Sequence, residues 1–201
     1  MDKIDINKLI NKLEATRSRN LVIVDFGNVE KWKDSLGWKI GIKELGKLVK
    51  HLSSGKKFLR RFYYGSDYGP KDSSFNMIPW SKGILEKAEL SGFEIETKRV
   101  KYIHDPNRTQ GLDKKCDLDV EMAVDIIVER ENYDTVIVFS GDGDLAYVLK
   151  YIFESYNKKI IIFAARDHLG KELVTLKEQG IIEHVLFAED FEYRLDKDRF
   201  K

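Results

Sequence analysis

The chain has 201 residues, 42% of them hydrophobic and 34% charged, with three prolines, one cysteine and a formal net charge of +1. That composition supports a hydrophobic core and excludes intrinsic disorder, a collagen repeat and a disulfide scaffold. The lone thiol, Cys116, suits a reducing compartment, and no apolar run approaches the ~20 residues that span a bilayer, so a cytoplasmic protein with no membrane partner is expected.

Residues 5–16 place Ile6, Leu9, Ile10 and Leu13 at helical intervals, which predicts an N-terminal helix within segment 1–19. LVIVDF (21–26) is a short apolar run closed by an acid, the pattern of a buried parallel strand. Ile42, Leu45, Leu48, Val49 and Leu52 predict a helix over 41–52, ended by Ser53-Ser54-Gly55. KKFLRRFYY (56–64) reads as a second strand with basic residues along it, and 65–80 as a long surface loop. A helix at 81–90, a strand at 93–103, a loop at 104–113 and a helix at 115–131 follow. TVIVFS (135–140) and KIIIFAA (159–165) are apolar strands, with helices at 145–155 and 169–179, a short strand HVLF (184–187) and a charged tail at 191–201. Strands alternating with helices over 20–190 predict a mostly parallel sheet with helices on both faces. In such sheets sites form at the carboxyl ends of the strands, near the point where strand order reverses.

The net charge conceals two opposite fields. Residues 31–61 hold ten Lys/Arg against Asp34 and Glu44, and residues 117–154 hold ten Asp/Glu against Arg130 and Lys150. Such asymmetry bears on partners rather than on fold.

Acids stand at two strand ends. Asp25 closes the first strand, with Asn28 three residues on, and Ser140-Gly141-Asp142-Gly143-Asp144 closes the fourth. A carboxylate just past a buried strand is partly desolvated and needs a partner, for which a hard divalent cation is well suited. Capping of the next helix is the plainer reading, and it fits Asp144 better than Asp25. On the 115–131 helix, at about 100° per residue, Asp119 falls beside Ala123, Ile126 and Ile127. An acid on an apolar helix face is unfavourable unless paired or metal-bound. Asp117 and Asp125 fall on a charged arc, where a solvated role is at least as good a reading.

Carboxylates converging at one end of a parallel sheet suit Mg²⁺ or Mn²⁺. No Cys/His spacing points to zinc, and there is no phosphate-binding glycine loop, dinucleotide fingerprint or serine-hydrolase elbow.

VIVDFGN, KKCDLDVEMAVD and YDTVIVFSGDGDL together resemble, in order and spacing, the NYN-domain family within the PIN-like ribonucleases, over roughly residues 20–165. The resemblance implies a three-layer α/β/α sandwich of Rossmann-like topology and metal-dependent cleavage of RNA. By it, Asp25 and Asn28 match the first acid and its polar companion, Asp119 and Asp125 the helix acids, and Ser140, Gly141, Asp142 and Asp144 the SGDxD motif. Leu145 departs from the aromatic that often follows that motif. Lys115-Cys116-Asp117-Leu118 replaces the usual lysine and glycine, which leaves Asp117 and Asp119 as alternatives, the helical wheel favouring Asp119.

The expected site is therefore Asp25, Asp119, Asp142 and Asp144 holding Mg²⁺ or Mn²⁺, with Asn28 and Ser140 orienting water or phosphate. Lys56, Lys57, Arg60, Arg61, Lys98, Arg99, Lys101 and Lys115 are candidates to line the path of an RNA, most naturally single-stranded. Most lysines of 31–50 read as solvated surface. Trp32, Trp38, Tyr63, Tyr64, Tyr68 and Trp80 lie near the expected loops, with Tyr68 and Trp32 the foremost candidates for base stacking. The terminal segments offer apolar periodicity for a homodimer. Two other functions use the same fold: an RNA-binding or regulatory module without catalysis, and a metal-dependent phosphatase or nucleotide hydrolase.

Overall fold

Strand β1 (Asn20–Asp25) explains the centre of the molecule. Leu21, Val22, Ile23 and Val24 are wholly buried, as a strand covered on both faces requires. It pairs in parallel with β2 (Arg60–Ser66) on one side and β6 (Thr135–Phe139) on the other. With β3 (Glu94–Arg99), β7 (Lys159–Ala164) and β8 (His184–Phe187) they form a six-stranded parallel sheet of order β3-β2-β1-β6-β7-β8. The order reverses between β1 and β6, so the crevice at their carboxyl ends is the switch point. The computed structural model describes residues 8, 11, 19–53, 56–70, 75–104, 112–196 and 198. The helix expected at 5–16 lies outside them, apart from Lys8 and Asn11, both helical.

After β1 the chain makes short helical turns, α1 (Phe26–Val29) and α2 (Lys33–Leu36), before α3 (Ile42–Leu52). Leu45, Leu48, Val49 and Leu52 form the buried face of α3, which packs with α4 (Pro79–Leu90) on one side of the sheet. Helices α5 (Asp119–Val128), α6 (Ala146–Tyr156) and α7 (Lys171–Glu178) pack in sequence on the other. The result is the α/β/α sandwich. Phe139, Phe163, Phe191 and Trp32 form a continuous aromatic cluster, with ring centroids 4.4–6.5 Å apart. The start of the charged tail belongs to this packing. Phe191 and Leu195 are buried, α8 (Glu192–Leu195) forms one turn, and the Leu195 carbonyl accepts the Gly41 N–H at 2.9 Å. No described helix is long and apolar enough to cross a membrane.

The expected strand at 93–103 is two strands. β3 ends at Arg99, and after the Val100 N–H bonds to the Ser66 carbonyl at 3.0 Å its partner β2 has run out. The chain leaves the sheet as β4 (Lys101–His104), which pairs antiparallel with β5 (Leu112–Lys115). The hairpin takes Lys115, residues 116–118 are irregular, and α5 begins only at Asp119 rather than at the expected 115. β2 likewise starts at Arg60, after a tight turn at Lys57–Leu59.

Asp67, at the end of β2, anchors the hairpin. It is buried and accepts the Tyr102 hydroxyl, the Lys114 ammonium and the Gly69 N–H, each at 2.7 Å. Burial raises its pKa, but the hydrogen bonds from Lys114, Tyr102 and Gly69 outweigh burial and hold it below the ordinary aspartate value. A depressed carboxylate stabilises the fold above its unfolded pKa and loses that contribution as pH falls through its folded value. Asp67→Asn is expected to cost about 1–2 kcal/mol at pH 7. Urea melts should show part of the wild-type acid sensitivity below about pH 4 missing in the variant.

Candidate metal centre

Asp25 ends β1 with both carboxylate oxygens engaged. Oδ1 accepts the Asn28 N–H at 3.1 Å and caps α1, and Oδ2 accepts the Ser140 hydroxyl at 3.0 Å. Ser140, fully buried just past β6, also receives the Asp142 N–H on Oγ at 3.1 Å. One hydroxyl thus ties the end of β1 to the turn after β6. The Asn28 side-chain oxygen makes a second tie, accepting Trp32 Nε1 at 2.8 Å and the Gly141 N–H at 3.2 Å.

The SGDGD turn closes tightly. The Gly170 N–H bonds to the Gly141 carbonyl at 2.8 Å, and the loop before α7 lies directly against the turn. A Cβ on Gly141 would collide with the His168 carbonyl, and one on Gly143 with the Glu172 carboxylate. Close approach of backbone requires glycine at position 141, whereas at 143 the Glu172 side chain could swing aside. Asp142 caps the turn, accepting the Asp144 N–H at 3.0 Å.

Asp119, the first residue of α5, completes the centre. Asp25, Asp119 and Asp142 each present a carboxylate oxygen within 4.8 Å of the others, and all three are partly buried. Burial pushes the Asp119 carboxyl up to about 7, helped by its contact with Asp117 and the charges of Asp117, Asp142 and Asp25. Burial also raises Asp25, against the pull of the Asn28 N–H and the Ser140 hydroxyl, and the charge of Asp142 raises it further. No described Lys or Arg forms an ion pair with the three. Lys31 draws the Asp25 pKa down through its charge without forming an ion pair, while Lys98 pairs with Glu121 and Arg61 with Glu94, Glu96, Asp125 and Glu129. A set of hard oxygen donors with no histidine or cysteine, and no described Lys or Arg in ion-pair contact, fits a divalent ion such as magnesium or manganese.

The other expected acids stand apart from this trio. Asp144 is exposed, two residues beyond Asp142. Asp117 accepts the Asp119 N–H at 3.1 Å, which lowers its pKa and caps the start of α5. Asp125 accepts the Tyr63 hydroxyl at 2.6 Å and faces Arg61 at 3.7 Å, a structural network on one side of the sheet.

The basic candidates divide by place. Lys56 and Lys57 precede β2, at the amino ends of the strands, away from the trio. Arg60 is buried beside Gly92, and Arg61 is held among four carboxylates, so neither presents its charge at the trio. Lys98, Arg99, Lys101 and Lys115 lie at the carboxyl end of β3 and on the hairpin, next to the segment that leads into Asp119. Lys98 also donates to the Asp117 carbonyl at 3.1 Å, and Arg99 stacks over Tyr68 at 4.8 Å from the ring centroid. Lys101 and Lys115 face each other across the hairpin, a like-charge pairing that favours an anion nearby. Among the aromatics, Trp32 and Tyr63 are fully buried and cannot stack on a base, whereas Trp80 is 64% exposed. Asp67 is the residue the sequence did not mark. Its signal, a buried acid answered by Tyr102 and Lys114, exists only once the hairpin is formed.

A parallel sheet of this order with aspartates gathered at its switch point is that of the PIN-like α/β proteins. The NYN domain family model matches residues 2–182, and the chain belongs to that family. It is 31% identical over 92 residues to the low amplitude and bright protein LabA of Synechococcus elongatus, a match covering 46% of this chain and 49% of that relative. The chain thus spans about half the length of the curated relative it matches. In fold it is similar to the crystal structure of VPA0982 from Vibrio parahaemolyticus, a protein of unknown function, with a TM-score of 0.58 and 18% identity over 85% of this chain and 92% of that one.

Three mutually repelling carboxylates weaken the metal-free fold once all are ionised. A carboxyl with a raised folded pKa contributes stability that is present below its unfolded value and lost as pH rises through the folded one, here from about 4 to about 7. Asp119→Asn should therefore melt about 2–4 °C above wild type at pH 8 in EDTA, the shift that ~1 kcal/mol makes at this chain length. Calorimetry with added Mn²⁺ should reverse the order, raising the wild-type Tm and leaving the variant nearly unmoved.

Proposed function

We propose that this NYN-domain chain is a divalent-metal-dependent ribonuclease acting at Asp25, Asp119 and Asp142. The observation that carries the reading is the convergence of those three carboxylates at the switch point, with no described Lys or Arg in ion-pair contact. When bound, Mg²⁺ or Mn²⁺ would supply a water of lowered pKa and positive charge against the scissile phosphate.

The chain's own groups do the remaining work. Ser140 and Asn28 hold Asp25 and the SGDGD turn in fixed register, which keeps the donor oxygens aimed at one point. Asp144, exposed beyond the trio, provides a further carboxylate on the solvent side. Asp117 holds the start of α5, so it orients Asp119. Arg99, Lys101 and Lys115 supply the phosphate contacts that an acidic centre needs in order to receive a polyanion, with Lys98 held on Glu121 beside them, and such contacts make binding salt-dependent. Single-stranded RNA in the cytoplasm is the substrate and setting this reading favours.

End-labelled single-stranded RNA incubated with Mn²⁺ should be cut by the wild-type chain and spared in EDTA. Asp25→Asn and Asp142→Asn should each lower the rate by about two orders of magnitude or more, the scale of losing one preorganised charge-stabilising group. Salt-sensitive RNA binding without turnover in any divalent ion would instead make the chain a binding module. Turnover of phosphomonoesters or nucleotides with RNA left intact would make it a phosphatase or nucleotide hydrolase.

A further inference from the structure

An open groove of about 770 Å³ runs between α3 and α4, and none of the three clustered aspartates lines it. It begins at Phe26, the residue after Asp25, and passes Trp80 and Ile84 to Leu90. Its floor is apolar and partly aromatic. Trp80 and Leu90 are 64% and 88% exposed, so large apolar groups face solvent along one side of α4. From Trp80 to Leu90 that face is about 15 Å long.

The walls are basic. Lys43, Lys47 and Lys50 recur on the exposed face of α3, opposite the face that buries Leu45, Leu48, Val49 and Leu52. Lys33, Lys39 and Lys87 bring the lining to six lysines against two acids, Glu30 and Glu44. Glu30 already accepts the Tyr64 hydroxyl at 3.0 Å. None of the six lysines forms an ion pair with a described residue. Lysines that read in the sequence as scattered, solvated charge are therefore collected along one trough.

We propose that this groove binds a stretch of single-stranded RNA, with phosphates against the lysines and a base stacked on Trp80. The inference rests on the ribonuclease reading for its direction: the strand passes Phe26 and reaches Asp25 next door. Charge complementarity selects a polyanion, because an uncharged apolar ligand would leave six ammonium groups unanswered. The exposed indole on an apolar floor selects nucleic acid over an acidic peptide, since stacked bases use ring faces and backbone charge together. The groove would hold the part of the RNA that flanks the bond being cut.

The test is fluorescence anisotropy on the full chain with an end-labelled single-stranded oligoribonucleotide of about 12 nucleotides, in EDTA. Lys43→Gln/Lys47→Gln/Lys50→Gln should weaken binding at least about tenfold at low salt and lower the log–log salt slope by about 2, at ~0.7 per single-strand contact. Trp80→Ala should weaken binding by about tenfold and Trp80→Phe by about twofold or less. The three lysines are exposed, so their variant should melt at the wild-type temperature, and Trp80→Ala and Trp80→Phe both lose the hydrogen bond between Trp80 and Tyr64, so the difference between those two reads stacking. The proposal is overturned if wild type does not bind the RNA. Variants that bind like wild type with an unchanged slope overturn it, as does equal displacement by polyglutamate of matched charge, which would mark a generic anion surface. RNA held in the groove yet never cut with Mn²⁺ would leave the groove standing and remove the ribonuclease reading. Cleavage with a KM indifferent to the groove variants would do the reverse.

Discussion

Three carboxylates within 4.8 Å of one another repel, and a partly dry setting enlarges the repulsion. The fold holds them together because the two central strands end side by side and their ends are cross-tied. Ser140 bonds Asp25 and the Asp142 amide with a single hydroxyl, and Asn28 joins Trp32 to Gly141. Those ties are fixed in turn by burial: Ser140 and Trp32 are fully enclosed, and Gly141 admits the loop before α7 against the turn. The sheet thus holds together a cluster of negative charge that a divalent cation could neutralise.

Much of this was legible in the sequence because it follows from strand polarity. An apolar run ending in an acid puts that acid at the carboxyl edge, which located Asp25 and Asp142. Asp119 was legible because an acid among Ala123, Ile126 and Ile127 has no comfortable solvent exit. Which of Asp117 and Asp119 begins the helix needed the structure. Only when β5 is seen to continue to Lys115 does the helix start at Asp119, leaving Asp117 outside it as a cap.

What could not be read depends on neighbours far away in the chain. Arg61 lies in a basic strand and resembles a phosphate ligand, but Glu94 and Glu96 from β3 and Asp125 and Glu129 from the α5 region meet it first. Trp32 stands in a polar stretch that reads as surface, yet it packs under Phe163 and donates to Asn28. The β4–β5 hairpin was hidden because β4 continues β3 with only Val100 between them, and because β5, Leu-Asp-Lys-Lys, is four residues long and carries no apolar alternation. The balance of charge is also clearer in three dimensions. The basic stretch 31–61 divides into the groove lysines of α3, residues at the amino ends of the strands, and arginines already held inside the fold.

The account turns on whether the three aspartates hold one cation together. Anomalous diffraction from a crystal equilibrated with Mn²⁺ measures that directly. The account predicts a peak ligated by Asp25, Asp119 and Asp142 at carboxylate–metal distances of about 2.0–2.3 Å, with Asp125 outside it. Manganese bound elsewhere on the protein with no peak among these three carboxylates would contradict it.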